Sequence, residues 1–389
     1  MEMMNGRIVA LDLSSGEVTE TQLEEDIVLA DPSCVMRTDA IWKEHGEDSV
    51  VLGTGLLTGS LVPGACAGVM AGETGIMPIM GNFAVEMKLS GFDFIALTGK
   101  APGPGYVWAR DGIIEFVRSD AVRTLDSWER TDRVRDDQGD RRIQVLSAGP
   151  WGDSGNPCAQ LVNCYWGGED KAGLASRLAS KNVLAVAVRG MGELSVVDPE
   201  AHFASCIELR SKVVSKLGEP KGLASYFGPA GRDDLAALVH RHVACFGCPH
   251  PCRTFAKVAE DPKQMALSHK EPGYLHYDVP GLRKAFEVGL DARSATEVSM
   301  MCARMGAEPV AVLERASSGG RELTPAIVRE LLATPWDMEP LPAGRFAGGF
   351  AIDRALAMGL CPRLWAKAGF DTSAIMPCVE SAVGRGVPL

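Results

Sequence analysis

From Ser49 to Gly72 the chain runs for 24 residues without a charged side chain, and six of those positions are glycine. On length alone such a stretch could cross a bilayer. Its composition excludes that, because each glycine costs a helix about 1 kcal/mol and Pro63 breaks it in the middle. The run therefore reads as buried strands joined by glycine turns, and no membrane span is expected.

A length of 389 residues suits two or three domains and a sizeable core. Hydrophobic residues at 46% and charged ones at 23% exclude a disordered or low-complexity chain. Fifty Asp and Glu against 39 Lys and Arg leave a net charge of −11, which repels phosphate backbones and anionic lipid, so no nucleic acid is expected as a partner. Met1 to Asp12 lack the basic start and apolar core of a signal peptide. Eleven cysteines, an odd number, fit a compartment that keeps thiols reduced, and the expected location is the cytoplasm.

The fold class expected is α+β. Arg7 to Leu13 alternates, Ser14 to Gly16 supplies a turn, and Glu17 to Thr21 returns as a second strand, which predicts an amino-terminal hairpin. Further strands are predicted at 94–98, 105–110, 113–117, 143–147 and 183–188. Beyond Asp198 the pattern turns helical, with Phe203, Cys206, Ile207, Val213, Val214 and Leu217 expected near one face of a helix over 202–217. Helices are also predicted at 233–242, 295–305, 325–332 and 345–358, with loops at 260–263 and 317–320. The boundary between a β-rich domain, 1–195, and a mostly helical one, 196–389, falls near residue 195.

The sharpest chemical signal is Cys245, Cys248 and Cys252, a Cys-x2-Cys-x3-Cys run. Gly247, Pro249 and Pro251 keep this segment from continuing as a helix, so the sulfurs can curl around a common point. Metal binding is favoured over three packed thiols, and an iron–sulfur cluster over a zinc knuckle that borrows His242 or His250. The order differs from the Cys-x3-Cys-x2-Cys run of radical enzymes that cleave S-adenosylmethionine. A fourth ligand must come from elsewhere: Cys361, between Gly359 and Pro362 at a helix end, is preferred, with Cys378 behind it. Cys34, Cys66, Cys158, Cys164 and Cys206 sit in apolar or helical settings and read as packed thiols, and Cys302 fits a helix core.

Several runs together resemble the tungsten-dependent aldehyde ferredoxin oxidoreductase family: Gly55 to Ser60, Phe83 to Lys100, Ala148 to Gly152 and Leu178 to Gly190. Cys245 to Cys252 resembles that family's three-cysteine cluster motif, and Met358 to Cys361 the end of its Asp-x-x-Gly-Leu-Cys motif. The resemblance implies an amino-terminal β-sheet domain of that family's type, then a helical domain. It implies a 4Fe-4S cluster on Cys245, Cys248, Cys252 and Cys361, and an oxidoreductase acting on aldehyde or oxo donors with an iron–sulfur acceptor. Partners implied are a ferredoxin-like or other electron-transfer protein, within a homodimer or a heteromeric redox complex.

By this resemblance the chain would be a shortened and divergent member. The segment between Cys252 and Cys361 is much reduced. Where the family has a Ser-Ser-Arg run whose arginine meets pterin phosphates, this chain has Gly64 to Ala67; where it has an Asn-containing loop, Met77 to Met80. Its Gly-Arg-Gly-Gly run becomes Asp170 to Gly173, in which Lys171 keeps a positive charge. Ala303 to Glu308 and Leu356 to Cys361 replace the two pterin-gripping motifs without their leading aspartates. Burying pterin phosphates unpaired would cost several kcal/mol per ion, so the cluster ligands persist while the tungstopterin site is eroded.

The leading reading is thus a protein holding one 4Fe-4S cluster for single-electron transfer, with Arg253 and Lys257 either tuning its potential or standing as solvated charges. Two alternatives differ in class. One is a complete tungstopterin aldehyde or carboxylic acid oxidoreductase with a reduced cofactor cradle, in which Glu271, His276 or Glu308 would handle protons. The other is a non-catalytic partner subunit of a larger redox complex. A flat small molecule against the glycines of 53–72 is a further possibility, with tight strand packing as the competing explanation. Trp42, Trp108, Trp151 and Trp166 read as core or rim.

Overall fold

The computed structural model describes residues 2–167, 172–217, 233–257, 274–275, 279–318, 320, 322–333, 354–369 and 371–388. Its strands begin with β1 (Arg7–Asp12), β2 (Val18–Gln22), β3 (Val50–Thr54), β4 (Gly68–Gly72), β5 (Gly75–Ile79) and β6 (Phe94–Thr98). These form a six-stranded sheet in the order β2-β1-β6-β3-β4-β5. The hairpin is where the sequence predicts it, with Leu11 opposite Val18, and β1 pairs in parallel with β6. A second, five-stranded sheet is built from β7 (Gly105–Arg110), β8 (Ile113–Arg118), β9 (Gln144–Ser147), β10 (Val162–Asn163) and β11 (Val183–Arg189).

The uncharged run supplies β3 and β4, and every residue of both strands is buried. Side chains alternate across a strand, so a strand stays apolar throughout only where both sheet faces are covered. That is the case here. Val50, Leu52 and Met70 face a core shared with Val107, Leu146, Val186 and Val188 of the second sheet. Val51, Val69 and Ala71 face the other way, onto Val35, Ile41 and Trp42 of the helix Cys34–His45.

The second half is mostly helical, and its helices divide between these two faces. Val298, Val312, Leu313 and Val328 join the core between the sheets, whereas Leu209, Val213, Leu364, Trp365 and Val379 join the core behind the first sheet. A small third sheet, β12 (Val239–Val243), β13 (Arg253–Lys257) and β14 (Tyr274–Leu275), brackets the cysteine loop. Among the described residues no helix is long and apolar enough to cross a membrane.

Three expectations are corrected. The helix expected over 233–242 stops at Ala236, and Val239–Val243 is a strand paired with Arg253–Lys257, a partner that local periodicity cannot reveal. The helix Pro199–Leu217 forms, but it is turned relative to the expected face: His202, Cys206, Leu209 and Val213 are buried, while Phe203 is 58% exposed and Ile207 and Val214 are exposed too. Its histidine goes inward because Nδ1 finds the Cys378 carbonyl at 3.0 Å. The amino-terminal half also holds helices that the strand-dominated reading passes over, among them Cys34–His45, Phe83–Leu89 and Ser127–Gln138. Of the helix expected over 345–358, 345–353 lie outside the described residues, as does the loop at 260–263, and 354–357 is helical.

Candidate metal centre

The site starts from a backbone crossing. The loop after β3 meets the turn at Met358–Cys361 so closely that a Cβ on Gly55 would lie 2.3 Å from the Gly359 nitrogen. Gly359 itself, at φ +85°, has no room for a side chain, because its Cβ would meet Thr58 Oγ1 at 2.1 Å. Backbone bonds stitch the two segments together: Leu57 N–H donates to the Met358 carbonyl, Ala67 N–H to Gly359 (both 2.9 Å), and Cys361 N–H to Gly64 (2.8 Å). Lys88, fully buried, holds the loop from beneath, its Nζ donating to the Gly55 and Leu56 carbonyls at 2.7 and 2.9 Å.

This crossing brings Cys66 and Cys361 side by side, both buried, with their thiols hydrogen-bonded. The Cys66 thiol also bonds Cys245. The loop of Cys245 reaches them through a turn in which Cys248 N–H donates to the Cys245 carbonyl at 3.1 Å and Gly247 takes φ +62°. Phe246 N–H is held by Asn82 Oδ1 at 2.9 Å, and the Gly247 carbonyl by Arg210 at 3.4 Å. His250 N–H donates to Cys248 Sγ at 3.5 Å. Cys252 is buried where the loop enters β13.

The thiols sense one another. The bond from Cys66 draws the Cys361 thiol below its ordinary range, while Cys66 is pushed well above it by its bonds to Cys245 and Cys361 and by burial. Burial pushes up Cys248, with the charges of Cys361 and Cys245 adding to it, and raises Cys252 to about 11, where Arg363 and Arg253 act in the opposite sense. Lys367 interacts with Cys252 as well. Arg253 is not a solvated charge: it is buried, donates to the Met80 carbonyl at 3.0 Å and stacks 5.2 Å over the Trp166 ring.

Cys66 is packed in the apolar core, as its neighbours in sequence lead one to expect, and the thiols it meets there, Cys245 and Cys361, are far along the chain. Cys378 lies elsewhere, a free thiol hydrogen-bonded to the free thiol of Cys206 between the helices Pro199–Leu217 and Thr372–Val383. His242 bonds Thr254 Oγ1 at 3.0 Å. Among the described residues no group of three or more His, Cys, Asp or Glu side chains is arranged around a common metal position. Glu308 is buried as a helix N-cap, accepting from Ala311 N–H at 2.6 Å, which gives that carboxylate a structural task. Lys171, Glu271 and His276 lie outside the described residues, as does the side chain of Lys257.

Met77, Met80, Asn163, Trp166, Arg253 and Arg363 enclose about 10 Å³ of free volume, scarcely one water. Of the tryptophans, Trp166 lines this gap, whereas Trp42, Trp108 and Trp151 are packed, Trp151 Nε1 reaching the Leu332 carbonyl at 3.2 Å.

Comparison with known proteins gives consistent results. The family model described as aldehyde ferredoxin oxidoreductase, N-terminal domain, matches residues 8–190. The tungsten-containing aldehyde ferredoxin oxidoreductase of Pyrococcus furiosus is 25% identical over 292 residues, 64% of this chain and 48% of that protein. That of Pyrococcus horikoshii is 26% identical over 243 residues, 53% of this chain and 40% of that protein. The chain thus aligns with no more than about half the length of these relatives. Among solved structures, the active site complex BamBC of benzoyl coenzyme A reductase with 1,5-dienoyl-CoA superposes with a TM-score of 0.69 at 15% identity, covering 88% of this chain and 58% of that one. At that identity the likeness is one of fold.

Proposed function

We propose that this chain, similar over residues 8–190 to the aldehyde ferredoxin oxidoreductase family, is a divergent oxidoreductase-type member of it holding one 4Fe-4S cluster on Cys245, Cys248, Cys252 and Cys361, with the tungstopterin site eroded. One observation carries this reading: the thiols of the loop 245–252 and of the distant Cys361 lie close enough to act on one another's charge, with Arg253, Arg363 and Lys367 acting on Cys252 or Cys361 as well. The donor set suits the group. It is all sulfur, and Cys252 and Cys361 are buried, with Cys245 and Cys248 half-buried against the core behind the first sheet.

Such a cluster, when bound, takes up and gives back single electrons. The chain's own residues set how readily. The guanidinium groups of Arg253 and Arg363 offset thiolate charge at Cys252, and the Gly55–Gly359 crossing keeps Cys361 in place. The proposal extends to a division of the chain near residue 195, to a cytoplasmic location and to an electron-transfer partner of ferredoxin type in a homodimer or heteromeric assembly.

The names of the relatives favour a second reading, a tungstopterin oxidoreductase, and Gly64 to Ala67, which lack the arginine that the family resemblance leads one to expect there, count against it. Elemental analysis of anaerobically purified protein, with visible spectra before and after dithionite, decides between them. Iron and sulfide with a reducible visible band and no tungsten are expected; tungsten with pterin would establish the second reading, and neither metal would leave a non-catalytic subunit.

A further inference from the structure

Two free thiols away from the loop 245–252 meet across a helix interface. Cys206 lies on the buried face of the helix Pro199–Leu217 and Cys378 in the helix Thr372–Val383; both are buried, and their thiols are hydrogen-bonded. The backbone holds the interface together, since Val197 and Asp198 N–H donate to the carbonyls of Ala382 and Ser381 at 2.9 and 3.0 Å. His202 stands between the two cysteines. Its Nδ1 is 3.0 Å from the Cys378 carbonyl, which can only accept, so Nδ1 carries the hydrogen. Nε2 is then the acceptor, and it is the ring nitrogen nearer to Cys206 Sγ, at 3.6 Å against 4.0 Å. A groove of about 430 Å³ opens along the same helices, and two residues of its lining, Leu209 and Ala374, each stand about one helical turn from a cysteine.

We propose that Cys206 and Cys378 are a redox-active dithiol, which a peroxide converts into a disulfide joining the two helices, with His202 as the base for Cys206. Cys378 reacts first: its sulfur takes one oxygen of the peroxide, the O–O bond breaks, and the thiol proton leaves with the other oxygen as water. Cys206 then gives its proton to His202 Nε2 and attacks the sulfenic sulfur of Cys378. The S–S bond forms, the S–O bond breaks, and the departing hydroxide takes the proton from His202 as a second water. Two electrons pass from the thiols to the peroxide. The order agrees with the local electrostatics, because the hydrogen bond from Cys206 draws the Cys378 thiol below its ordinary range, and burial keeps the imidazole uncharged and able to accept. Neither sulfur belongs to the proposed cluster ligands, so this site stands independently of that reading.

The test adds hydrogen peroxide stepwise to the reduced chain, blocks the remaining thiols with N-ethylmaleimide and maps tryptic peptides without reduction. The segments 190–210 and 368–385 each contain one cysteine, so their linked product reports this pair alone. That product is expected to form before either cysteine is oxidised beyond the disulfide, and with it the urea midpoint should rise, a shift that dithiothreitol reverses. Cys206→Ala should give neither the product nor the shift. His202→Asn, which keeps an amide donor near the Nδ1 position and lacks Nε2, should form the product about a hundredfold more slowly. Recovery of Cys206 and Cys378 as blocked thiols while other cysteines are oxidised, or either one joined to a different cysteine, would overturn the dithiol. An equal rate in His202→Asn would overturn the role of the histidine.

Discussion

Lys88 shows how much a single buried group can hold. Its ammonium has no exposure, donates to two carbonyls of the loop that carries the crossing, and faces the charge of Asp93. Lys88→Met would leave both carbonyls without their donor and Asp93 without its cation, so a loss of about 3–5 kcal/mol is expected in urea denaturation. Burial also lowers the Lys88 pKa from 10.5 to about 8. Between those values the unfolded chain keeps a proton that the folded chain has released, so this group makes stability rise with pH across that window. Subtracting the Lys88→Met stability curve from the wild-type curve should leave that rise, and a flat difference would refute the assignment. Neither the role of Lys88 nor the thiols that Cys66 meets are legible from neighbours in sequence. A lysine is rarely buried and a cysteine among small apolar residues is ordinary packing; in each case the partner is brought in by the fold.

At the scale of elements, the helix Pro199–Leu217 separates pattern from environment. Hydrophobic spacing located it but not its rotation, because Phe203 and Ile207 are apolar yet exposed and His202 is polar yet buried against the Cys378 carbonyl. Leu209→Ala should therefore cost about 2–5 kcal/mol, whereas Phe203→Ala should stay within about 0.5 kcal/mol of wild type; thermal or urea unfolding of the pair checks which face is inside. The crossing at Gly359 makes a sharper case. Gly359→Ala would force a Cβ onto Thr58 at a backbone angle of +85°, and a loss of about 3 kcal/mol or more is expected, with weaker iron uptake because Cys361 lies two residues on. Some signals for the missed helices were present in the sequence. Asp126 and Glu129 form a capping box that announces Ser127–Gln138. By contrast, β12 has no local mark, since its identity as a strand rests on pairing with β13 across the cysteine loop.

Over the whole molecule, the cysteine pocket ties the small sheet around 245–252 to the turn at Cys361 and, through it, to the first large sheet. Loading with iron and sulfide should then raise the unfolding temperature of the chain, because a group bound only by the folded state stabilises it by mass action. Calorimetry of loaded protein against chelator-stripped protein measures this, and equal transitions would argue against a shared site. The α+β order, the amino-terminal hairpin, the buried glycine-rich strands and the cysteine loop were determined by the sequence itself, because each depends on residues close together in the chain: alternation, turn chemistry, absence of charge, Cys spacing. The proximity of Cys66, Cys245 and Cys361, the inward turn of His202 and the burial of Arg253 were decided only by tertiary structure. Each is a meeting of segments far apart in sequence, and which of them meet depends on how two sheets and their helices pack, which no local pattern encodes.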